Sequence, residues 1–171
     1  MRYVFKLKNI LKLEKDQLIY VVDDDVPLNV LICKYLEKQG FKNVKGFYTG
    51  DELLKEISSR TSPIIIQDFD LPDINGLDLL KKIKTEYPKT EFIFLSGQSS
   101  VEVAVEAINF GAFDYIIKDN FAKENTLTKI KNLLKIKKLI RERLIFRTGL
   151  FAVSVLALLI LIILYMFFTR N

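Results

Sequence analysis

The sequence predicts an α/β fold, a doubly wound five-stranded parallel sheet, followed by one C-terminal transmembrane helix. Two observations lead to this prediction: short apolar runs alternate with amphipathic helical segments, and residues 149–168 form an uncharged stretch. Strands that alternate with helices pair in parallel and are covered on both faces, so each strand is a nearly continuous apolar run. With 171 residues, the chain has room for one ordinary domain and some appendages.

The first two pairs of strand and helix are predicted before residue 60. Leu18–Asp23 is a short, β-branched run that ends in carboxylates, which is typical of a buried strand. Pro27 follows where it suits a first helical turn, and apolar residues then recur at helical spacing until Gly40, a frequent helix terminator. Val44–Tyr48 is the second predicted strand, and Asp51–Ser59 is the second helix.

Three further pairs complete the pattern. The remaining strands are again short apolar runs next to a polar residue: Pro63–Asp68, Glu91–Leu95 and Phe113–Lys118. The helices that follow these strands are predicted after Gly76, around Val101 and from Glu124 onward, because apolar residues recur there at helical spacing.

Charge and composition exclude several functions. Residues 18–124 contain 12 Lys/Arg and 18 Asp/Glu, whereas residues 1–17 carry a net charge of +3 and residues 125–171 one of +8. The acidic middle argues against nucleic-acid binding, and the basic flanks are typical of contact with anionic lipid. The chain contains no histidine, which excludes histidine-based catalysis and an internal phosphorelay through His. Cys33 is the single cysteine, so no internal disulfide forms, and we expect it to be a small buried hydrophobe.

The C-terminal third is predicted to anchor the chain in a membrane. The 20 uncharged residues of 149–168 match the hydrocarbon core of a bilayer, about 30 Å at a rise of about 1.5 Å per residue. Eight basic residues and one acidic residue lie between Lys129 and Arg147, a bias that keeps this side in the cytoplasm. We therefore expect a single-pass membrane protein with its α/β domain in the cytoplasm.

We divide the chain into five segments. They are a basic N-terminal extension (1–17), the α/β domain (18–137), a basic juxtamembrane helix (138–148), the transmembrane helix (149–168) and a short tail (169–171). In the extension, Val4, Leu7, Ile10 and Leu11 form a basic amphipathic pattern, which is typical of a segment on a membrane surface and equally of a solvated extension.

Polar residues stand at the C-terminal ends of four predicted strands. Asp23 and Asp24 end the first strand, Asp68 the third, Ser96 the fourth and Lys118 the fifth. In a doubly wound sheet, ligand sites lie beyond this edge. The mutual repulsion of three carboxylates is offset by a hard cation such as Mg²⁺. Taken singly, each of these residues is also typical of a turn or a helix cap.

The residue types at this edge suit phosphoryl transfer. Asp68 can attack an electrophilic phosphorus as a carboxylate nucleophile. Mg²⁺ and the Lys118 ammonium neutralise charge on the phosphoryl oxygens, and the Ser96 hydroxyl can donate a hydrogen bond to the product.

From Leu18 to Lys137 the chain resembles the receiver domain of two-component response regulators, in particular single-domain receivers. The resemblance is carried by VVDDD (21–25), by the D-x-x-x-P-x-x-x-G pattern from Asp68 through Pro72 to Gly76, by Ser96-Gly97 and by GAFDYIIK (111–118). It implies a flavodoxin-like fold with strand order 2-1-3-4-5. It also implies a phosphoprotein of two-component signal transduction that receives its phosphoryl group from a sensor histidine kinase or a phosphotransfer protein.

The resemblance assigns a role to each residue at this edge. Asp68 becomes the phosphoacceptor, and Asp23, Asp24 and Asp68 hold Mg²⁺ together with the main-chain carbonyl of Asp70. Ser96 and Lys118 contact the phosphoryl group. The chain is then no enzyme beyond Mg²⁺-dependent self-phosphorylation and autodephosphorylation.

The resemblance also implies a switch and exposes two departures from the family pattern. Ser96 and Tyr115 form the switch pair, and the face of helix four, strand five and helix five is the element that changes. Asp119 stands where many receivers have proline, so a cis peptide is not expected after Lys118. Gly97 replaces the commoner alanine, which loosens the rim of the site. Asp70 and Gln98 occupy the variable positions that set the autodephosphorylation rate.

The leading hypothesis is a membrane-anchored receiver that signals to an unknown downstream protein through protein contacts. The alternative is a scaffold that works without phosphorylation, against which the complete set of site residues argues. A hydrolase is disfavoured because the sequence shows no substrate-binding cap. A flavin-binding protein is disfavoured because no phosphate-cradling loop follows the first strand. Whether the last helix pairs in a homodimer or acts as a simple tether stays open.

Overall fold

The computed structural model describes residues 15–57, 62–97 and 100–169. The chain divides into two compact units, one up to Lys131 and one from Asn132 onward, and each is described by itself. The amphipathic pattern predicted in the N-terminal extension, the end of the second predicted helix at Ser58 and Ser59, and Gln98 lie outside the described residues.

The first unit is built on a five-stranded parallel sheet in the order β2-β1-β3-β4-β5. This order confirms the predicted fold class. The strands are β1 (Leu18–Val22), β2 (Asn43–Phe47), β3 (Ile64–Gln67), β4 (Glu91–Ser96) and β5 (Asp114–Ile117). Since all five run in one direction, their carboxyl ends meet at a single edge.

Four helices connect the strands, and a fifth follows the last strand. They are α1 (Val26–Lys38), α2 (Gly50–Glu56), α3 (Gly76–Glu86), α4 (Val101–Asn109) and α5 (Ala122–Thr169). Side-chain oxygens of the residues before the first four helices accept hydrogen bonds from backbone N–H groups of the first turn: Asp25, Thr49, Asn75 and Ser100. Because these N–H groups have no partner within the helix, the caps fix where each helix begins.

The core explains why the strands are so uniformly apolar. On one face of the sheet Val22, Ile65, Phe92 and Phe94 pack with buried side chains of α2, α3 and α4, and on the other face the alternate strand residues are buried as well. Each large apolar side chain that is fully buried contributes roughly 1.5–3 kcal/mol. The strands are therefore held on both faces, and their ends are fixed points on which a site can be built.

Within the first unit, α5 buries Thr126, Leu127 and Ile130. In the second unit, from Asn132 to Thr169, the apolar side chains are largely exposed, for example Phe146, Phe151 and Leu158. Among the described residues, α5 is one helix that has the length and apolar composition to cross a membrane, and none of its most apolar window is buried. Length and composition alone give weak support to the predicted membrane anchor.

Candidate functional site

The site stands at the carboxyl edge of the sheet, where backbone hydrogen bonds extend three strands by one residue. Asp23 N donates to Phe47 O (3.1 Å), Asp68 N to Val22 O (2.8 Å) and Lys118 N to Ser96 O (2.7 Å). These bonds continue the parallel ladder past the ends of β1, β3 and β5. The side chains that the sequence placed at strand ends therefore converge from strands that are distant along the chain.

Lys118 joins two carboxylates at the centre of the site. Its Nζ lies 2.6 Å from Asp68 Oδ2 and 2.9 Å from Asp23 Oδ2. Asp23 is 1% exposed and Asp68 is 6% exposed. Because charges attract more strongly where water is excluded, the ammonium holds both carboxylates in one small volume.

Burial and charge shift two pKa values here in understandable directions. Burial raises the pKa of the Asp23 carboxyl above its ordinary value, although the hydrogen bond and the charge of Lys118 act against this rise. Burial alone lowers the pKa of Lys118, but hydrogen bonds to Asp68 and Asp23 outweigh it, so the net shift is upward. Lys118 is therefore a positive charge over the whole physiological range of pH.

The carboxylates fit a hard divalent cation. One oxygen each of Asp23, Asp24 and Asp68 lie within 4.8 Å of one another, and Asp24 is exposed to solvent. Asp23 Oδ2 is buried beside the Lys118 ammonium, at 2.9 Å. A buried anionic oxygen next to two further carboxylates belongs to a donor set that Mg²⁺ prefers. The predicted acidic cluster is thus present.

The third aspartate of the VVDDD motif has a different task. Asp25 Oδ1 accepts a hydrogen bond from Leu28 N (3.1 Å) and so caps α1, while Asp25 N donates to Asp23 Oδ1 (3.0 Å). The cap of α1 therefore also orients the first carboxylate of the site.

Asp70 and the two predicted switch residues lie around this centre. Asp70 is exposed, and its N–H points at Asp68 Oδ1 from 3.5 Å. Ser96 is fully buried as the last residue of β4. Tyr115 is half-buried on β5, with its ring centroid 6.3 Å from that of Phe94. The predicted metal contact of Asp70 and the predicted switch roles stay predictions.

An apolar groove of about 340 Å³ lies between α4 and β5. Its lining includes Val101, Val105 and Ile108 from the helix and Tyr115 and Ile117 from the strand. The Tyr115 ring packs near Phe94 and also lines this exposed groove, so a movement of the ring would change the shape of the groove.

Two buried amides support the site and were missed in the sequence. Asn29 Nδ2 on α1 lies within hydrogen-bond distance of Phe47 O (2.7 Å), Asp23 O (3.2 Å) and Val21 O (3.3 Å), and so ties the ends of β1 and β2 together. Gln67 Nε2 donates to Gly76 O (2.8 Å). In the sequence, Asn29 and Gln67 are visible only as polar residues at core positions, and this pattern does not indicate what they bind.

Three other details complete the comparison with the predictions. Cys33 is half-buried, not fully buried as expected. No cis peptide occurs among the described residues, as expected for Asp119 in place of proline. Asp119 instead accepts a hydrogen bond from Phe121 N (2.8 Å) and shapes the turn into α5.

The sequence of residues 19–131, more than half of the chain, matches the family model of the response regulator receiver domain. Together with the parallel sheet and the aspartate and lysine cluster at its edge, this match defines the class of protein. The chain belongs to the response regulator receiver family.

Curated relatives are transcription regulators of bacteria. The chain is 32% identical over 116 residues to the DNA-binding transcriptional regulator NtrC of Proteus hauseri, which is 68% of this chain and 24% of that protein. It is 35% identical over 117 residues to the transcriptional regulatory protein CssR of Bacillus subtilis, 68% of this chain and 50% of that protein. The match thus covers about a quarter of the length of NtrC and half of the length of CssR.

Solved structures agree with the fold. A CheY-like receiver domain protein from Methanospirillum hungatei superposes with a TM-score of 0.64 at 31% identity, over 72% of this chain and 97% of that one. The BeF3-activated receiver domain of DrrB, a response regulator of Thermotoga maritima, gives a TM-score of 0.61 at 31% identity, over 70% and 98%.

Proposed function

We propose that this protein accepts a phosphoryl group on Asp68 in the presence of Mg²⁺ and signals through protein contacts. The observation that carries the proposal is the Lys118 ammonium, which stands between the buried carboxylates of Asp68 and Asp23 with Asp24 beside them. One nucleophile, one fixed cation and an acidic pair suited to a second cation are the parts that phosphoryl transfer needs.

The chemistry is a displacement at phosphorus. An oxygen of Asp68 forms the new P–O bond, while the bond between phosphorus and the donor breaks and its electron pair leaves with the donor. Mg²⁺, held by Asp23, Asp24, Asp68 and the carbonyl of Asp70, supplies neutralisation of the charge on the phosphoryl oxygens. Lys118 adds a fixed positive charge, and Ser96 donates a hydrogen bond to the aspartyl phosphate.

Donor and output follow from the family. The phosphoryl donor is a sensor histidine kinase or a phosphotransfer protein, since the chain itself contains no histidine. Movement of Ser96 toward the phosphoryl group draws Tyr115 inward and reshapes the groove between α4 and β5. A downstream protein reads that surface.

Residues 149–168 anchor the receiver to the membrane in a single pass, with the basic residues before them on the cytoplasmic side. The support is a helix of sufficient length and apolar content, preceded by a strongly basic segment; where its side chains are described, they are exposed. The basic segment contacts anionic lipid headgroups, and the same helix offers a surface on which two copies can pair.

Intact-mass analysis tests the phosphoacceptor. The full chain in detergent micelles is incubated with Mg²⁺ and acetyl phosphate, beside Asp68→Asn and the matched charge control Asp78→Asn, which alters an exposed aspartate on α3. We expect one phosphoryl group on the wild type and on Asp78→Asn, none on Asp68→Asn, and none when EDTA removes the metal. A folded wild type without phosphate would leave the phosphorylation-independent scaffold as the function.

A further inference from the structure

Gln67 is a fully buried polar side chain next to the phosphoacceptor. It is the last residue of β3, with an exposure of 0%, and it pairs with Val22 and Phe94 on the neighbouring strands. Burying an amide among apolar neighbours is costly unless its polar atoms are hydrogen-bonded. The contacts of this amide are therefore informative.

The donor side of the amide closes the loop that carries Asp68. Gln67 Nε2 donates to Gly76 O (2.8 Å), and Gly76 N donates to Phe69 O (3.0 Å). The segment from Asp68 to Asn75 is thus tied at its base by two hydrogen bonds to one residue, the first of α3. A Cβ on residue 76 would lie 2.9 Å from Gln67 Nε2 and 2.7 Å from Phe69 O, so only glycine permits this approach.

The acceptor side of the same amide is unpaired. Gln67 Oε1 is buried and has no hydrogen-bond partner among the residues that the structure describes. A buried acceptor without a donor lowers stability, and an apolar side chain of equal length would avoid this cost. The stability of the fold alone therefore does not account for an amide at this position.

We propose that Gln67 is a positioning residue for Asp68. Through Gly76 it fixes the span of the β3–α3 loop, and with it the Asp68 carboxylate and the Asp70 carbonyl relative to Lys118. Small misplacements of a reacting group lower rates strongly, so a side chain that never touches the phosphoryl group controls how fast it is accepted. This role rests on the proposed phosphoryl transfer to Asp68.

Gln67→Met tests the role, because methionine keeps the length of the side chain and removes both polar atoms of the amide, Nε2 and Oε1. Ile65→Val is the matched control, since it shortens a buried side chain of the same strand and leaves the Gln67 amide and its hydrogen bond to Gly76 in place. For each full-length chain in detergent micelles, we would measure the melting temperature, the rate of phosphorylation by acetyl phosphate at saturating Mg²⁺, and backbone amide exchange across residues 68–76.

We expect Gln67→Met to melt close to the wild type, to be phosphorylated about 10-fold more slowly or worse, and to exchange faster across 68–76. Ile65→Val should melt lower and keep the wild-type rate. Gly76→Ala, which forces the same contact apart, should slow phosphorylation as well, and combining it with Gln67→Met should add little because both act through one contact.

Two results would overturn the role of Gln67: a folded Gln67→Met variant with the wild-type rate, or a slow rate that Ile65→Val shares. A wild type that takes up no phosphate is a different failure, since it overturns the proposed function itself and this role with it. The wild-type measurement keeps the two failures apart.

Discussion

Among the single residues of the site, Lys118 neutralises the charge of two carboxylates. It is the cation seen between Asp23 and Asp68, and its own side chain keeps 20% of its surface exposed. When one partner of a buried ion pair is removed, the remaining charges lose their compensation, which costs about 3–5 kcal/mol for a fully buried pair. Partial access of water reduces this figure here.

Lys118→Met should lower the free energy of unfolding by about 2 kcal/mol in Mg²⁺-free buffer, because two carboxylates then face each other without a cation. Adding Asp68→Asn to this variant should recover part of the loss. Lys89→Met, at an exposed lysine, is the control and should change stability by less than about 0.5 kcal/mol. Urea denaturation measures all four chains, and an unchanged Lys118→Met variant would contradict this account of the site.

Cys33 should be a slow thiol. Burial, together with the nearby charge of Glu37, raises its pKa to about 11, so very little thiolate is present at pH 8. We expect alkylation by iodoacetamide at pH 8 to be slower than in the urea-unfolded chain by on the order of 100-fold, and to accelerate with pH up to about 11. A rate that levels off below pH 9 would show that the thiol is not held in its neutral form.

Sequence reasoning found the charged residues of the site and missed the amides that hold them. Each of Asp23, Asp68 and Lys118 alone is also typical of a turn or a helix cap, but together they are recognisable because they follow three apolar strands whose ends meet at one edge of the sheet. Asn29 and Gln67 lie inside helix and strand patterns, and their partners are backbone carbonyls of residues distant in sequence. A carbonyl has no sequence signature, so such bonds are visible only in three dimensions.

Among the elements, the β3–α3 loop is fastened to α2 as well as to β3. Asp73 Oδ1 accepts from Gly50 N (3.0 Å) and Asp73 Oδ2 accepts from Asp51 N (2.8 Å). Partial burial raises the pKa of the Asp73 carboxyl, but these backbone hydrogen bonds outweigh it and the net shift is downward. The position of the loop after Asp68 is thus linked to the start of α2.

Asp73→Asn should reduce stability at pH 7 by about 0.5–1 kcal/mol, a modest figure because this carboxylate is exposed. A lowered pKa in the folded chain means that the contribution is present above the ordinary value of 3.8 and is lost as the pH falls through the folded value. The difference from wild type should therefore shrink at pH 3. Urea denaturation at both pH values, with Asp78→Asn as control, measures this difference in stability. An equal difference at both pH values would contradict a contribution from the ionised Asp73 carboxylate.

The periodicity of apolar residues predicted which segments are helices and which are strands. It predicted their first and last residues less accurately. β2 begins at Asn43 and ends at Phe47, one residue earlier at each end than predicted, because Tyr48 N turns to the side chain of Glu52 (2.8 Å). β4 extends one residue past the predicted apolar run Glu91–Leu95 and ends at Ser96, the polar residue expected at this strand end. Such shifts arise from capping bonds and from strand register, which hydrophobic patterns do not contain.

At the scale of the whole molecule, the two units differ in where their apolar residues lie. In the first unit most of them are buried between the sheet and its helices, apart from surfaces such as the groove between α4 and β5. In the second unit, the apolar side chains that the structure describes are mostly exposed along a helix. The sequence predicted this contrast because uncharged residues in 149–168 show no amphipathic period. The exposure of these side chains does not identify the medium around the helix, so a membrane-binding experiment tests whether residues 149–168 span a bilayer.

Leu158→Arg should release the chain from the membrane. A charge at the centre of a spanning helix costs about 2.5–3.5 kcal/mol of insertion free energy. Thr169→Arg, at the end of the proposed span, is the matched control and should stay membrane-bound. Alkaline extraction of cell membranes distinguishes the two, and equal extraction of both variants would argue against the span at 149–168.

The pairing of Lys118 with Asp68 also sets when the site comes into existence during synthesis. The two residues are 50 positions apart, and Asp23 lies further still from the lysine. A nascent chain that has not yet released residue 118 from the ribosome has its carboxylates but not their cation. The site is therefore assembled only when the last strand joins the edge of the sheet, and until then Asp23 and Asp68 lack the positive charge that holds them together.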